Sequence, residues 1–248
     1  MHLCLQRGST LKLKFLSTLF LTAALYQPAH ASSVLLYNGT GSSPTDVVAL
    51  QTILSAMNLS YDAVTSAQLN AMTKAQIASY KLIVFPGGNS IDMGNSLTRT
   101  TTANVKAAVS TYGVSYIGFC AGAFMAESST LYNVFNLAGT WFDFYNYSLI
   151  DMVWTTFPDG SRRDLVYWEG PHVSGFGSVI AKYPNGQAAI AEGKVGKGFV
   201  VVSGVHPEAP SNWRYGMADV DADGVTADVN YAATLIAAAY SKIVLPHY

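Results

Sequence analysis

Apolar and polar positions follow one another along this chain in two rhythms, and their order predicts an α/β architecture. Val34-Leu35-Leu36-Tyr37 is an unbroken apolar run ended by Asn38-Gly39-Thr40-Gly41, the pattern of a buried strand and a turn. Pro44-Thr45-Asp46 then opens a helix whose apolar positions, Val47, Val48, Leu50, Ile53, Leu54 and Met57, recur at helical spacing. Tyr61–Val64 reads as a short strand and Ser66–Ala71 as a turn or short helix. Lys81-Leu82-Ile83-Val84-Phe85 is a buried strand stopped by Pro86-Gly87-Gly88. Residues 102–112 form the next helix, and Val114-Ser115-Tyr116-Ile117 the strand after it. Strands alternating with helices in this way imply a doubly wound, mostly parallel, flavodoxin-like sheet covered on both faces. Ligands of such sheets bind outside the carboxyl ends of the strands, where Gly87-Gly88 and Cys120 fall.

The pattern then changes. Residues 141–168 are rich in aromatics and broken by Pro158-Asp159-Gly160, which predicts a β-hairpin insertion. Aromatics on both faces of the run Trp141-Phe142-Asp143-Phe144-Tyr145-Asn146-Tyr147 point to a core segment rather than a pocket wall. Residues 178–183, 188–191 and 198–203 read as further strands and residues 228–241 as an alanine-rich terminal helix. Without a repeat, linker or low-complexity tract, residues 32–248 are expected to form one domain.

The N-terminal residues read as a targeting signal. Arg7, Lys12 and Lys14 form a basic region, Phe15 opens an apolar stretch, and Ala29-His30-Ala31 supplies the small-x-small cleavage pattern. The stretch is too short to span a bilayer comfortably and nothing polar marks it as a core helix. Cleavage near Ala31 predicts a secreted or periplasmic protein with no membrane partner after signal removal. The remainder holds eleven basic and fifteen acidic residues, a balance of −4, with no basic stripe, so nucleic acid is not expected as a partner. With the leader gone, Cys120 is the single cysteine, so no internal disulfide is available. An inert buried thiol is one reading of Cys120; its surroundings favour another.

Gly118-Phe119-Cys120-Ala121-Gly122-Ala123 follows the predicted strand and opens into a helix. Small residues on each side of a nucleophile at a strand-to-helix turn are what a nucleophile elbow needs, because the turn admits no bulk. A helix N-terminus also favours the thiolate. Downstream, Val205-His206-Pro207-Glu208 supplies an imidazole to take the thiol proton and a carboxylate to orient it. Gly87 and Gly88, with the N–H of Ala121, offer donors for an oxyanion hole, although Pro-Gly-Gly is also an ordinary tight turn.

In this order, the Pro-Gly-Gly, Gly-x-Cys-x-Gly and His-Pro-Glu segments resemble the class I glutamine amidotransferase-like superfamily. Within it the chain is most similar to the domain found at the N-terminus of some biotin-protein ligases, over Ile83-Val84-Phe85-Pro86-Gly87-Gly88, the Cys120 segment and Val195-Gly196-Lys197-Gly198 running on to Glu208. The resemblance implies Cys120 as nucleophile, His206 as general base, Glu208 as its orienting partner, and Gly88 and Ala121 as oxyanion donors. It also implies a glutamine amidotransferase-like fold. Glutamine amidotransferases usually carry Gln four residues after the cysteine; Phe124 stands there, which speaks against free glutamine. No synthetase domain and no biotin-activating domain is expected in this chain. The functional expectation is a cysteine-nucleophile amide hydrolase, of amidase or peptidase type, acting on a small-molecule or peptide amide. The alternative is a non-catalytic binding or scaffold protein that kept the fold and the elbow.

Two lesser features remain. Glu169 and His172, beside Gly170-Pro171, are further substrate-contact candidates, with Phe124. Asp219, Asp221, Asp223 and Gly224 match the first half of an EF-hand calcium loop, but its twelfth position is Asn230 rather than a bidentate Glu. A structural calcium ion there and a solvated acidic turn capping the last helix are both open; no cofactor is expected to be required.

Overall fold

Successive residues of a strand point to opposite faces of a sheet, and the first strands of this chain are apolar on both. The computed structural model describes residues 32–217 and 222–248. The leader read over residues 1–31 lies outside the described residues, as do Asp219 and Asp221. The strands are β1 (Val34–Tyr37), β2 (Tyr61–Val64), β3 (Leu82–Phe85), β4 (Ser115–Phe119), β5 (Asp143–Phe144), β6 (Ile150–Thr156), β7 (Arg162–Trp168), β8 (Pro171–His172), β9 (Ser178–Lys182), β10 (Ala188–Val195) and β11 (Gly198–Ser203). The nine-stranded sheet runs β2-β1-β3-β4-β11-β10-β9-β6-β7. From β2 to β11 neighbouring strands are parallel; beyond β11 they are antiparallel.

The helices are α1 (Pro44–Ala56), α2 (Ser66–Ala71), α3 (Lys74–Ile77), α4 (Ser90–Ser96), α5 (Arg99–Ser110), α6 (Ala121–Ala126) and α7 (Val225–Ser241). One sheet face, with Val34, Leu36, Leu82, Val84, Ile117 and Phe119, packs on Leu50 and Leu54 of α1 and Leu235 and Ile236 of α7. The opposite face, with Leu35, Tyr37, Ile83, Phe85 and Tyr116, packs under Leu69, Ile77, Met93 and Val105 from α2 to α5. Each such fully buried aliphatic side chain contributes about 1.5–3 kcal/mol, so each helical layer is held to its own face of the sheet. This is the doubly wound α/β arrangement expected of the sequence. Helix starts follow local chemistry: the Ser43 side chain accepts the Asp46 N–H with Pro44 at the first turn of α1, and Thr65 and Thr73 form capping boxes with Gln68 and Gln76.

The structure departs from the sequence pattern in two places, at α4 and in the aromatic run. The turn at Pro158-Asp159-Gly160 joins β6 to β7 in the expected hairpin. It extends the main sheet, with Thr156 of β6 paired to Lys182 of β9. Helix α4 carries only Ile91 and Met93 as large apolar residues and holds Gly94, so it has no helical stripe; the Asn89 side chain caps it. The aromatic run from Trp141 is not all core: Phe142 is buried while Trp141 and Tyr147 are exposed. Among the described residues no helix is long and apolar enough to cross a membrane.

The turn after β4 fits because two residues lack a side chain. A Cβ on Gly118 would lie 2.3 Å from the Gly122 carbonyl oxygen, and one on Gly122 2.2 Å from that of Phe85. Both obstacles are backbone, so they cannot swing aside. Gly122→Ala is expected to cost about 3 kcal/mol or more and to lower Tm by roughly 6 °C or more. Gly186→Ala, at φ 86° but in open space, should cost only about 1–2 kcal/mol. Thermal unfolding followed by circular dichroism distinguishes the two; equal losses would disprove the backbone-contact account.

Candidate active site

β4 delivers Cys120 into a backbone conformation that L-residues seldom adopt, φ 48° and ψ −106°. Strain of this kind persists only where its surroundings over-determine it. Here the Cys120 N–H donates to the Ser203 carbonyl of β11 at 2.7 Å, and the Gly122 N–H to the Pro86 carbonyl at 3.0 Å. The Tyr116 hydroxyl donates to the Gly122 carbonyl at 2.6 Å. The elbow is thereby tied to the strands on both sides of it. Its Sγ lies 3.4 Å from the Trp168 carbonyl, to which the thiol donates. Ala121 is the first helical residue, so its N–H has no intrahelical acceptor.

His206 stands on the loop after β11. Its N–H donates to the Val166 carbonyl of β7 at 2.8 Å, and the nearby Gly204 carbonyl packs so closely on Gly170 that a Cβ there would lie 2.0 Å away. The imidazole Nδ1 is 2.7 Å from Glu208 Oε1, which leaves Nε2 as the nitrogen for other partners. Cys120 is close enough to this ring to act on its charge. Burial disfavours the protonated imidazole, yet the charges of Cys120 and Glu208 and the hydrogen bond to Glu208 outweigh it and raise the His206 pKa well above its usual value. Cys120, His206 and Glu208 are 5, 1 and 1% exposed, so a reacting group must enter the fold to meet them.

A fourth residue belongs here that the sequence pattern did not single out. Asp46, in the first turn of α1, is fully buried, and its Oδ2 accepts the Gly87 N–H. Atoms of Asp46, His206 and Glu208 lie within 4.8 Å of one another. This corrects the expected oxyanion set: the Gly87 N–H is engaged by a carboxylate, while the Gly88 N–H makes no backbone hydrogen bond among the described residues. Gly87 serves another purpose, since a Cβ there would lie 2.5 Å from His206 Cε1 and 2.7 Å from Asp46 Oδ2. In sequence, Asp46 looks like any acidic residue in a helix's first turn.

The thiol sits where two cavities meet, both bordered by Gly88, Cys120 and Trp168. The larger, about 470 Å³, extends on the His206 side past Trp213 and Tyr215. The smaller, about 270 Å³, runs past Ala121, Phe124, Phe144 and Glu169. Phe124 stacks on Phe144 with ring centroids 4.9 Å apart, and Trp213 packs on His206 at 5.1 Å and Trp168 at 5.6 Å. Trp213 is anchored to α1 by its Nε1–H, donating to Thr45 Oγ1 at 3.0 Å. Phe124 and Glu169 thus line the cleft, whereas His172, paired with Asp143 across β5 and β8, lines neither cavity. Trp213 and Tyr215 sit in a stretch, Ser211-Asn212-Trp213-Arg214-Tyr215, without a motif to mark it. Of the acidic loop only Asp223 is described: it pairs with Arg163 at 3.5 Å and accepts the Asp164 N–H at 3.3 Å.

Residues 32–138 match the family model described as "Biotin-protein ligase, N terminal". No curated protein matches the chain in sequence. Among solved structures the chain is similar to a glutamine amidotransferase from Thermotoga maritima, with a TM-score of 0.60 at 11% identity over 85% of this chain and 99% of that one. A putative GMP synthase protein from Thermoplasma acidophilum aligns with a TM-score of 0.55 at 13% identity, over 86% and 98%. A glutamine amidotransferase from Methylobacillus flagellatus aligns with a TM-score of 0.54 at 13% identity, over 88% and 96%. The chain is thus built on the class I glutamine amidotransferase-like fold, and its residues 32–138 are similar to the N-terminal domain of biotin-protein ligases.

Proposed function

We propose that this protein is an exported cysteine-dependent hydrolase of amide bonds. The observation that carries the reading is the buried His206 ring, held between the Cys120 thiol and the Glu208 carboxylate at the junction of two cavities. In the first step the Cys120 thiolate adds to the amide carbonyl carbon, and the carbonyl electron pair moves onto oxygen. The Gly88 and Ala121 N–H groups donate to that oxyanion. His206 gives its Nε2 proton to the departing nitrogen, the C–N bond breaks, and an acyl thioester remains on Cys120. The neutral imidazole then takes a proton from water, hydroxide adds to the thioester, and collapse releases the carboxylic acid and the thiolate. Glu208 orients the ring throughout.

The cleft favours an amide with bulk on both sides of the carbonyl over free glutamine. Phe124 and Phe144 put aromatic surface where an amide-recognising Gln stands in the glutamine amidotransferases, and space continues past the thiol in both directions.

An electrophilic amide or ester probe is expected to label Cys120, as mapped by peptide mass spectrometry, and Cys120→Ala to abolish both labelling and any turnover found. His206→Asn should slow turnover by about 10²-fold or more. Turnover that survives Cys120→Ala would end the reading, and a thiol inert to every probe would favour a non-catalytic binding protein.

The pH dependence carries a sign. Because negative charge holds His206 protonated to a higher pH than usual, kcat/KM should fall on the alkaline side where the imidazolium loses its proton. Glu208→Gln removes one of those charges and should move this limb, and the His206 titration seen by NMR, to lower pH. An unmoved titration would contradict Glu208 as the ring's partner.

Export implies a leader of residues 1–31. Full-length protein secreted by a bacterial host should begin at Ser32 by N-terminal sequencing; an exported form that retains the leader would oppose this.

A further inference from the structure

The carboxylates of Asp46 and Glu208, both buried, have oxygens within 4.8 Å of each other. Each spends one oxygen on a donor: Asp46 Oδ2 on the Gly87 N–H, and Glu208 Oε1 on His206 Nδ1. The remaining oxygens, Asp46 Oδ1 and Glu208 Oε2, are both buried without a hydrogen-bond partner. Two orphaned acceptors in one dry site carry a desolvation cost on each, and the Glu208 charge disfavours ionisation of Asp46, since His206, the cation of the cluster, is engaged by Glu208. A single proton held between them would give both oxygens a partner.

Resting on the reading of Cys120, His206 and Glu208 as the reacting set, we propose that Asp46 is a positioning residue kept as the neutral acid, donating its proton to Glu208 and so fixing the carboxylate that orients His206. The proton is assigned to Asp46 because Glu208 Oε1 faces the imidazole directly, whereas the hydrogen bond to Asp46 comes from a backbone N–H. The groups facing Asp46 agree. The loop after β11 brings Glu208 and His206, the loop after β3 brings the Gly87 N–H, and α1 holds no other charge. α7, which packs on α1, carries Asp228, already paired with Arg214 at 2.5 Å. Burial first, and then the Glu208 charge, raise the Asp46 pKa well above the carboxylate range, against smaller opposing effects of His206 and Gly87. A metal ion is the rival occupant of this cluster. It fits poorly, since Nδ1 and Oε1 are engaged with each other and Oδ2 with the backbone.

Asparagine mimics a neutral acid here, its carbonyl accepting from Gly87 and its amide donating to Glu208. Asp46→Ala should lower turnover, or labelling of Cys120 by an electrophilic probe, by roughly tenfold or more, since it leaves Glu208 Oε2 and the Gly87 N–H without partners. Asp46→Asn should restore the rate to within about threefold of the parent and leave the NMR titration of His206 where it was. An infrared spectrum at neutral pH should contain a protonated-carboxyl band that Asp46→Asn removes. The idea fails if Asp46→Asn moves the His206 titration down as Glu208→Gln does, because Asp46 would then be an anion. It also fails if the band is unchanged, or if a chelator alone reproduces the Asp46→Ala loss. If Asp46→Ala does not fold, the asparagine variant and the spectrum still decide. Both readouts work without turnover, so an inactive Cys120 would overturn the proposed hydrolase while leaving the state of Asp46 measurable.

Discussion

The site depends on one contact between backbones: the first turn of α6 lies directly on the end of β3. Gly122 touches the Phe85 carbonyl, and Gly118 touches Gly122 in turn. With α6 pressed that close, the chain between β4 and α6 has a single residue in which to reverse, and Cys120 takes the φ of 48° that results. The aromatic layer beneath makes the arrangement stiff. Phe85 stacks on Tyr37 at 4.5 Å and meets Phe135 edge-on at 4.9 Å, while Tyr116 ties its hydroxyl to Gly122. Local strain of about 1–3 kcal/mol is small beside the burial of such rings.

A second constraint is electrostatic. An imidazolium taken out of water needs anions nearby, and His206 has Glu208 on one nitrogen and the charge of Cys120 acting on it. Asp46 arrives from the other side of a structural divide. β1 and β3 are neighbours in the sheet, but the chain leaves β1 for α1 on one face and β3 for α4 toward the other. Open α/β sheets bind their ligands in the crevice at such a switch point. The Asp46–Gly87 hydrogen bond spans it, and so joins the start of α1 to the loop that carries Gly88.

Much of this could be read from the chain. Continuous apolar runs such as Leu82-Ile83-Val84-Phe85 can only be strands buried on both faces, so the parallel sheet and its layers were legible. The glycines around Cys120 marked the elbow because a tight turn leaves a compositional trace. What was not legible is what depends on side-chain direction across long separations. Nothing in Pro44-Thr45-Asp46 says that the carboxylate points inward to Glu208, more than 160 residues on, and its capture of the Gly87 N–H is equally silent. Trp168, for which core is the better expectation, walls the cleft because the Gly170–Gly204 contact brings the end of β7 beside His206, and Trp213, which no motif marks, walls it from its hold on Thr45. His172 shows the converse: three residues from Glu169, it turns into a two-stranded ribbon with β5.

The two cavities are not equivalent in the proposed chemistry. A general acid must reach the atom that leaves, so the leaving nitrogen lies on the His206 side of the thiol and the acyl group on the side of Phe124 and Glu169. The His206 side is the larger, at about 470 Å³ against about 270 Å³. An enzyme that releases ammonia needs almost no room for its leaving group. A cavity of that size, bordered by Trp168, Trp213 and Tyr215 and by Ser43, Thr45 and Asn212, has room in the proposed reaction for a departing amine with a substantial body. The shape therefore argues for a secondary amide, such as a peptide or an amine conjugate. It argues against a primary amide even where the acyl side would accept one.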